Sequence, residues 1–311
     1  MLLYLDDDFA KHDTGRHPEC PERIILLNRL LRERGWHQRA ICPTWSAAPV
    51  ETLVRVHQRE YVEKLKQLCD AAAGRIESDT VVSQGSWNAA TRAAGAAVDA
   101  VQRVCKGESP TAFCAIRPPG HHALLDAPMG FCLLNNVAIA AHAAIVAGLH
   151  RVLIVDWDVH HGNGTQDAFW KDGRVGFFSI HRHPFYPGTG DKSETGSGAG
   201  LGWIRNEPVP ATIKQQEFTD KFTRALESLA AKIRPELILL SAGFDAHHAD
   251  PVGSLCLVEE DFTALTKIVK QVATSHCSGR IVSLLEGGYH LDHMPESALR
   301  HVEELAAKPG N

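Results

Sequence analysis

A doubly wound α/β fold is what this sequence of 311 residues predicts, on three observations. Short apolar runs recur between residues 111 and 288 without strict polar alternation, the pattern of parallel strands covered on both faces. Helix-like segments lie between several of these runs, so strand and helix alternate. Hydrophobic residues make up 44% of the chain, enough at this length to bury a large core.

The first hundred residues are mainly helical, with helices expected over "CPERIILLNRLLRERG" (20–35) and "SWNAATRAAGAAVDAVQRVCKG" (86–107). A strand follows at "TAFCAI" (111–116), then a helix at "NNVAIAAHAAIVAGLH" (135–150) and strands at "RVLIVD" (151–156) and "VGFFSIH" (175–181). The tract "PFYPGTGDKSETGSGAGLG" (184–202) is rich in Gly and Ser, and a loop that long inside a compact domain is functional or disordered. A helix over 215–234, a strand "ELILLSAG" (236–243), a helix over 258–275 and a strand "RIVSLLEGG" (280–288) complete the order. No Pro/Gly/Ser-rich linker divides the chain and no internal repeat is present, so residues 1–311 read as one domain.

Composition narrows the function. A formal charge of -5, a pI near 6.4 and the absence of a Lys/Arg run leave no electrostatic footprint for nucleic acid or an anionic membrane surface. The start, "MLLYLDDDFAKH", places acids where a signal peptide needs a basic segment, and no apolar stretch reaches membrane-spanning length. A soluble, cytoplasmic protein is the expectation. Eight cysteines, Cys20, Cys42, Cys69, Cys105, Cys114, Cys132, Cys256 and Cys277, show no CxxC pair and fit reduced, mostly buried thiols.

In open α/β sheets ligands gather at the carboxyl ends of strands, and four polar clusters fall there. In "VLIVDWDVHHGNG" (152–164), alternation of an extended chain would send Asp156, Asp158 and His160 to one side, and Gly162 and Gly164 would let the backbone turn sharply and approach a ligand. After "ELILLSAG" comes "FDAHHADPVG", with Asp245 at the end of another run. A mixed His/Asp set without sulfur suits Zn²⁺, Fe²⁺ or a harder divalent ion, and three protein ligands leave a position for water.

The third cluster, "RPPGHHA" (117–123), carries the tandem pair His121 and His122, whose ring nitrogens need partners. The fourth, "LLEGGYHL" (284–291), places Tyr289 after a deformable Gly-Gly step. Each cluster alone is also what a capped turn, a solvated His pair or a packed Tyr would give. Together they point to metal-assisted amide hydrolysis, with a polarising cation, a histidine base and a phenol donating to the tetrahedral oxyanion.

The motifs "GRHPECPERI", "RPPGHHA", "GFCLLNNVAIAA", "VLIVDWDVHHGNGTQ", "FSIHRHPFYPGTG", "LILLSAGFDAHHADPVG" and "LEGGYHL" resemble, in order and over nearly the whole chain, those of the histone deacetylase family, including its bacterial amidohydrolase and acetylpolyamine amidohydrolase relatives. Asn163 in "DWDVHHGNGTQ" is similar to the class II branch, since class I members usually carry Asp there. The resemblance implies a three-layer α/β/α arginase-like fold around an eight-stranded parallel sheet, with one Zn²⁺ held by Asp158, His160 and Asp245. It implies a catalytic pair, His121 oriented by Asp156 and His122 by Asn163. A carboxylate favours the imidazolium of His121, whereas an amide adds no charge, so His122 is the expected general base.

By the same resemblance Phe131 and Tyr186 flank a narrow channel for an acyl-lysine-like chain, Gly130 offers its carbonyl near the substrate nitrogen, and Asp79 accepts from the substrate backbone. Tyr186 replaces the Phe usual at its position, which keeps an aromatic wall. A K⁺ ion is implied beneath the zinc, through Asp156, main-chain oxygens of Asp158 and His160, and the Ser179 hydroxyl. Tyr289 is the phenol of active members, and Val252 stands where a dedicated polyamine deacetylase carries a Glu. The expected activity is therefore removal of acetyl, or longer acyl, groups from lysine side chains. The alternatives are an acetylpolyamine or other small-molecule amide hydrolase, and a non-catalytic protein whose pocket binds acylated partners or metal. A two-metal ureohydrolase would need more bridging carboxylates than these clusters supply.

Overall fold

A computed structural model describes residues 1–307. In chain order its elements are β1 (Leu2–Tyr4), α1 (Pro21–Glu33), α2 (Trp36–Arg39), α3 (Val50–Leu53), α4 (Arg59–Asp70), β2 (Gly74–Arg75), β3 (Val81–Val82), α5 (Ser86–Cys105), β4 (Thr111–Cys114) and α6 (Asn136–Val146). There follow β5 (Val152–Asp156), α7 (Asn163–Ala168), β6 (Val175–Arg182), β7 (Ile204–Val209), α8 (Gln215–Ile233), β8 (Leu237–Ala242), α9 (Glu259–Cys277), β9 (Ile281–Leu285) and α10 (His293–Ala306). All five expected strands and all five expected helices are present, most trimmed at their ends, with β6 running one residue and α9 two residues past the expected stop. The last four residues of the expected 1–311 domain lie outside the described residues.

One sheet, ordered β1-β4-β9-β8-β5-β6-β7 with every pairing parallel, forms the middle layer. Its central strands are buried along their whole length, which explains their unbroken apolar sequences. Helices α5 and α6 pack on each other and on β4, β9, β5 and β8, while α8, α9, α10 and α1 form a second contiguous row. Helix α8 shows the logic: Phe218, Phe222, Leu226, Leu229 and Ile233 recur on one stripe and are buried. Those five side chains supply on the order of 10 kcal/mol of gross hydrophobic stabilisation before conformational entropy is charged against it.

The sheet has seven strands, not the expected eight. Beyond β1 the next segment is reduced to a single parallel bridge between Leu2 and Ile41, with Leu3 N–H donating to Ile41 O at 2.8 Å and Ile41 N–H to Met1 O at 3.1 Å. Pro43 follows two residues later and has no N–H for a continuing ladder. Strands β2 and β3 pair only with each other, antiparallel. At the other edge β7 escaped the sequence pattern because "IRNEPV" is polar and contains Pro208, a residue tolerated on an edge strand. Among the described residues no helix is long and apolar enough to cross a membrane.

Candidate active site

Strand β5 stops at Asp156, so simple strand alternation does not bring Asp158 and His160 together, contrary to expectation. Two successive side-chain turns do it: Asp158 N–H donates to Asp156 Oδ1 at 3.1 Å, and His160 N–H to Asp158 Oδ1 at 2.9 Å. Trp157 points the other way, fully buried against Phe222 and His301. Asp245 arrives from the loop after β8, the strand beside β5, and its Oδ1 accepts from Val159 N–H at 2.9 Å. His160 Nδ1 then lies 3.0 Å from Asp158 Oδ1 and 3.0 Å from Asp245 Oδ2.

The glycines here matter for closeness, not for turning. Gly162 and Gly164 do not have positive φ; a Cβ on Gly162 would strike Asp156 Oδ2, and one on Gly164 the Ala123 carbonyl. A Cβ on Gly243 would strike Asp158 Oδ2, and one on Gly287 would meet the Oδ2 atoms of both Asp245 and Asp158. Gly287 N–H donates to Asp158 Oδ2 at 2.9 Å.

One ligand atom each from Asp158, His160 and Asp245 lies within 4.8 Å of the others, all three residues buried. Burial pushes the Asp245 carboxyl up to about 7, helped by the charge of Asp158. Asp158 is held well down despite burial, by His121 and His160. Among the described residues neither carboxylate is paired with a Lys or Arg. Two buried carboxylates with one imidazole and no Lys or Arg to pair them are a donor set that fits a divalent cation such as Zn²⁺.

The tandem histidines sit beside this set with ring centroids 4.0 Å apart. His121 Nδ1 is 2.9 Å from Asp156 Oδ2, and His122 Nδ1 is 2.7 Å from Asn163 Oδ1. An amide oxygen only accepts, so His122 carries its proton on Nδ1 and leaves Nε2 bare. Burial opposes charge on both rings. For His121 the carboxylates of Asp156 and Asp158 outweigh it and raise the affinity for a proton well above the usual range. For His122 burial wins and the charges of His121 and His160 add to it, so that ring stays neutral.

Above these groups a cleft of about 270 Å³ is lined by Asp79, His122, Gly130, Phe131, His160, Phe185, Tyr186, Val252 and Tyr289. Every residue expected to touch substrate is in that lining. Tyr186 crosses the His122 ring edge-on at 5.2 Å, and Phe131 faces Tyr289 edge-on at 5.6 Å. Phe131 has φ 69°, a left-handed conformation costing a non-glycine residue about 1–3 kcal/mol, and its N–H is tied to Thr80 Oγ1 at 3.1 Å. Gly130 precedes it with φ 55°, where a Cβ would strike the His122 ring. Tyr289 is 8% exposed, and burial keeps its phenol protonated well above neutrality.

Asp156 and Ser179 are register partners on β5 and β6, though Ser179 lies outside the cleft lining and its Oγ is 2.9 Å from His181 Nδ1.

Four residues that shape the site were not read from sequence. Phe185 stacks on His160 at 5.1 Å; its signal was adjacency to Tyr186. Glu286 accepts from Gly120 N–H at 2.6 Å and His121 N–H at 3.2 Å, fixing the turn that carries the His pair, and burial pushes its carboxyl up to about 7. A Glu inside "LLEGG" was the clue. Asp250 Oδ2 accepts from Tyr289 N–H at 2.6 Å, and Arg23 lies 4.8 Å over the Tyr289 ring while donating to Gly288 O and Glu286 O, both at 2.6 Å.

Residues 17–305 match the family model described as the histone deacetylase domain. The chain belongs to the histone deacetylase family. Over 98% of its length it is 40% identical to histone deacetylase 5 of Arabidopsis thaliana, and over 99% it is 37% identical to the human polyamine deacetylase HDAC10; it spans about half the length of each, 48%. The crystal structure of the HDA15 HD domain superposes with a TM-score of 0.94 at 33% identity, covering 100% of this chain and 89% of that one. Histone deacetylase family membership makes this a deacetylase fold, a mostly parallel sheet flanked by helices.

Proposed function

We propose that residues 1–311 form one zinc-dependent deacetylase domain that removes acetyl, or longer acyl, groups from lysine side chains of peptides or proteins. The observation that carries this reading is the meeting of Asp158, His160 and Asp245 at the foot of a narrow, aromatic-walled cleft that also holds His122 and Tyr289.

Asp158, His160 and Asp245 would hold Zn²⁺, which when bound polarises the substrate carbonyl and lowers the pKa of water. His122, neutral and bare at Nε2, accepts the proton of the attacking water and returns it to the departing amine. Asn163 fixes its tautomer. His121, kept as imidazolium by Asp156, sets a positive charge beside the reacting carbon. The Tyr289 phenol donates to the oxyanion as it forms. Phe131 and Tyr186 clasp the alkyl chain, the Gly130 carbonyl accepts from the substrate nitrogen, and Asp79 at the rim accepts from its backbone. Asp156 and Ser179, with the main-chain oxygens of Asp158 and His160, would hold K⁺. Eight free thiols fit a reducing compartment, and we place the protein in the cytoplasm.

Acetylpolyamine hydrolysis is the second reading, favoured by the likeness to a polyamine deacetylase. Val252 in the lining speaks for lysine, because an apolar residue there offers nothing to a second ammonium.

An acetyl-lysine peptide assay with and without chelator, beside Tyr289→Phe, tests the reading. Chelation should abolish turnover and the substitution should cost roughly 10²–10³ in kcat. Activity indifferent to both would overturn it. Acetylspermidine preferred over the peptide by more than about tenfold in kcat/KM, or 1.4 kcal/mol, would select the second reading.

A further inference from the structure

We propose that His247, Glu259 and His293 form a second metal site, for Zn²⁺ or a transition cation of similar softness, that clamps the loop behind the active site to the starts of α9 and α10. One ligand atom from each lies within 4.8 Å of the other two. Glu259 reaches a ring nitrogen of each histidine, its Oε2 3.3 Å from His247 Nε2 and its Oε1 2.6 Å from His293 Nδ1.

The buried imidazole points to a ligand independently of that spacing. His247 is 1% exposed, yet its Nε2 has no hydrogen-bond partner, because the approach to Glu259 is misaligned. A buried ring nitrogen left unmatched is destabilising, and a cation seated before it removes that penalty.

The surroundings favour a borderline-soft cation over a proton or a hard ion. His248 and His290 flank the site, with ring centroids 4.6 Å from His247 and 4.4 Å from His293, so four imidazoles cluster beside one carboxylate that touches two of them. Rings this close cannot all be charged, and neutral imidazole with carboxylate is a set that suits Zn²⁺, Ni²⁺ or Cu²⁺. His293 has a side chain 38% exposed and Glu259 one 24% exposed, which gives an entry path.

Two local adjustments accompany binding. The His247 and His293 rings stack at 4.4 Å and 21°, so the part-exposed His293 ring turns out of the stack to aim Nδ1 at the ion. The long 3.2 Å contact from Ala249 N–H to His247 Nδ1 gives way, since ligation through Nε2 places the ring proton on Nδ1.

The consequence is mechanical. His247 lies two residues after Asp245, and Asp250 in the same loop accepts the backbone N–H groups of Tyr289 and His290 at 2.6 and 3.3 Å. A cation at this point ties Asp245 and Tyr289, through their own loops, to two helix starts.

The test is metal content. The full-length protein is stripped with chelator, dialysed against buffered Zn²⁺ and analysed by plasma emission. Wild type should hold two Zn²⁺ per chain and Glu259→Gln, which keeps size and removes the charge, one. His293→Ala should also hold one, Asp158→Ala one, and the Asp158→Ala/Glu259→Gln pair none. A single Zn²⁺ in wild type, or two in both Glu259→Gln and His293→Ala, overturns the proposal. Loss of one ion in Glu259→Gln but none in Asp158→Ala would uphold the second site and count instead against the catalytic assignment. Differential scanning should show one equivalent of Zn²⁺ raising the melting temperature of Asp158→Ala and leaving that of the double variant where it was.

Discussion

Replacing Asn163 by Asp asks directly which histidine takes the proton. Asn163 Oδ1 is 2.7 Å from His122 Nδ1, both residues buried, and burial with the neighbouring imidazole charges keeps His122 neutral. A carboxylate at that place adds one negative charge roughly 4 Å from the ring centre, worth about 4 kcal/mol at an effective dielectric of 20, or about three pH units as a ceiling. Desolvation of the new carboxylate takes part of this, leaving an expected upward shift of roughly one to three units in the pKa of the base. The sign follows from the charge: the imidazolium is stabilised, so His122 holds its proton to higher pH and the acid limb of kcat/KM moves up. The assay is kcat/KM for an acetyl-lysine peptide across pH 5 to 9 with saturating Zn²⁺, for wild type, Asn163→Asp and Asn163→Ala. Asn163→Ala, which removes orientation without adding charge, should lower activity by about 10–100-fold without moving the limb upward. Superimposable acid limbs for wild type and Asn163→Asp would refute His122 as the base.

Three further outcomes follow from the same structure. Gly287→Ala should weaken Zn²⁺ binding at the Asp158–His160–Asp245 set by at least about tenfold in a competition titration, because its Cβ meets both carboxylates while the fold around β9 persists; unchanged affinity would contradict the packing. Arg117→Met should cost about 1.5–3 kcal/mol in urea unfolding, since Arg117 donates to Glu19 through contacts of 2.5 and 2.9 Å, both side chains fully buried, and its loss leaves that carboxylate with Arg23 at 3.0 Å as its one guanidinium partner; a cost under 1 kcal/mol would count against it. His57, with Nδ1 on Leu124 O at 2.8 Å and Nε2 accepting from Asn135 N–H at 2.9 Å, is pushed by burial from 6.5 to about 4. The unfolded chain therefore binds the proton more tightly, and this group removes stability as pH falls below 6.5, about 2 kcal/mol between pH 7 and 5. His57→Gln should flatten that part of the stability–pH curve, and an identical slope would exclude the contribution.

What the sequence disclosed followed its physics. Buried parallel strands such as Val152–Asp156 and Leu237–Ala242 are legible because both faces need apolar residues, and amphipathic α8 because one stripe does. Ligand and base candidates stood out because Asp and His directly after such strands have few other reasons to be there. Partnerships across the chain were hidden: Glu286 supporting the His121 turn, Arg23 against Tyr289 at a separation of 266 residues, and Phe185 stacked on His160 depend on tertiary placement that no local pattern encodes. The edges of the sheet misled for a related reason. Edge strands need neither two apolar faces nor a complete ladder, so Ile204–Val209 carried no strand signal and the segment at Ile41 contributes one bridge in place of an eighth strand. The turn at Asp156–His160 was predicted to gather its ligands by strand alternation, whereas side-chain capping of successive N–H groups does so.

Under the proposed function, Asp158, His160 and Asp245 grip one catalytic cation within reach of His122 and Tyr289. Crystals of the zinc-loaded protein, measured on both sides of the zinc absorption edge, test it most directly. An anomalous peak about 2.0–2.2 Å from His160 Nδ1 and from an oxygen of each aspartate is the predicted result. Fully zinc-loaded, active crystals with no anomalous density between those three residues would contradict it.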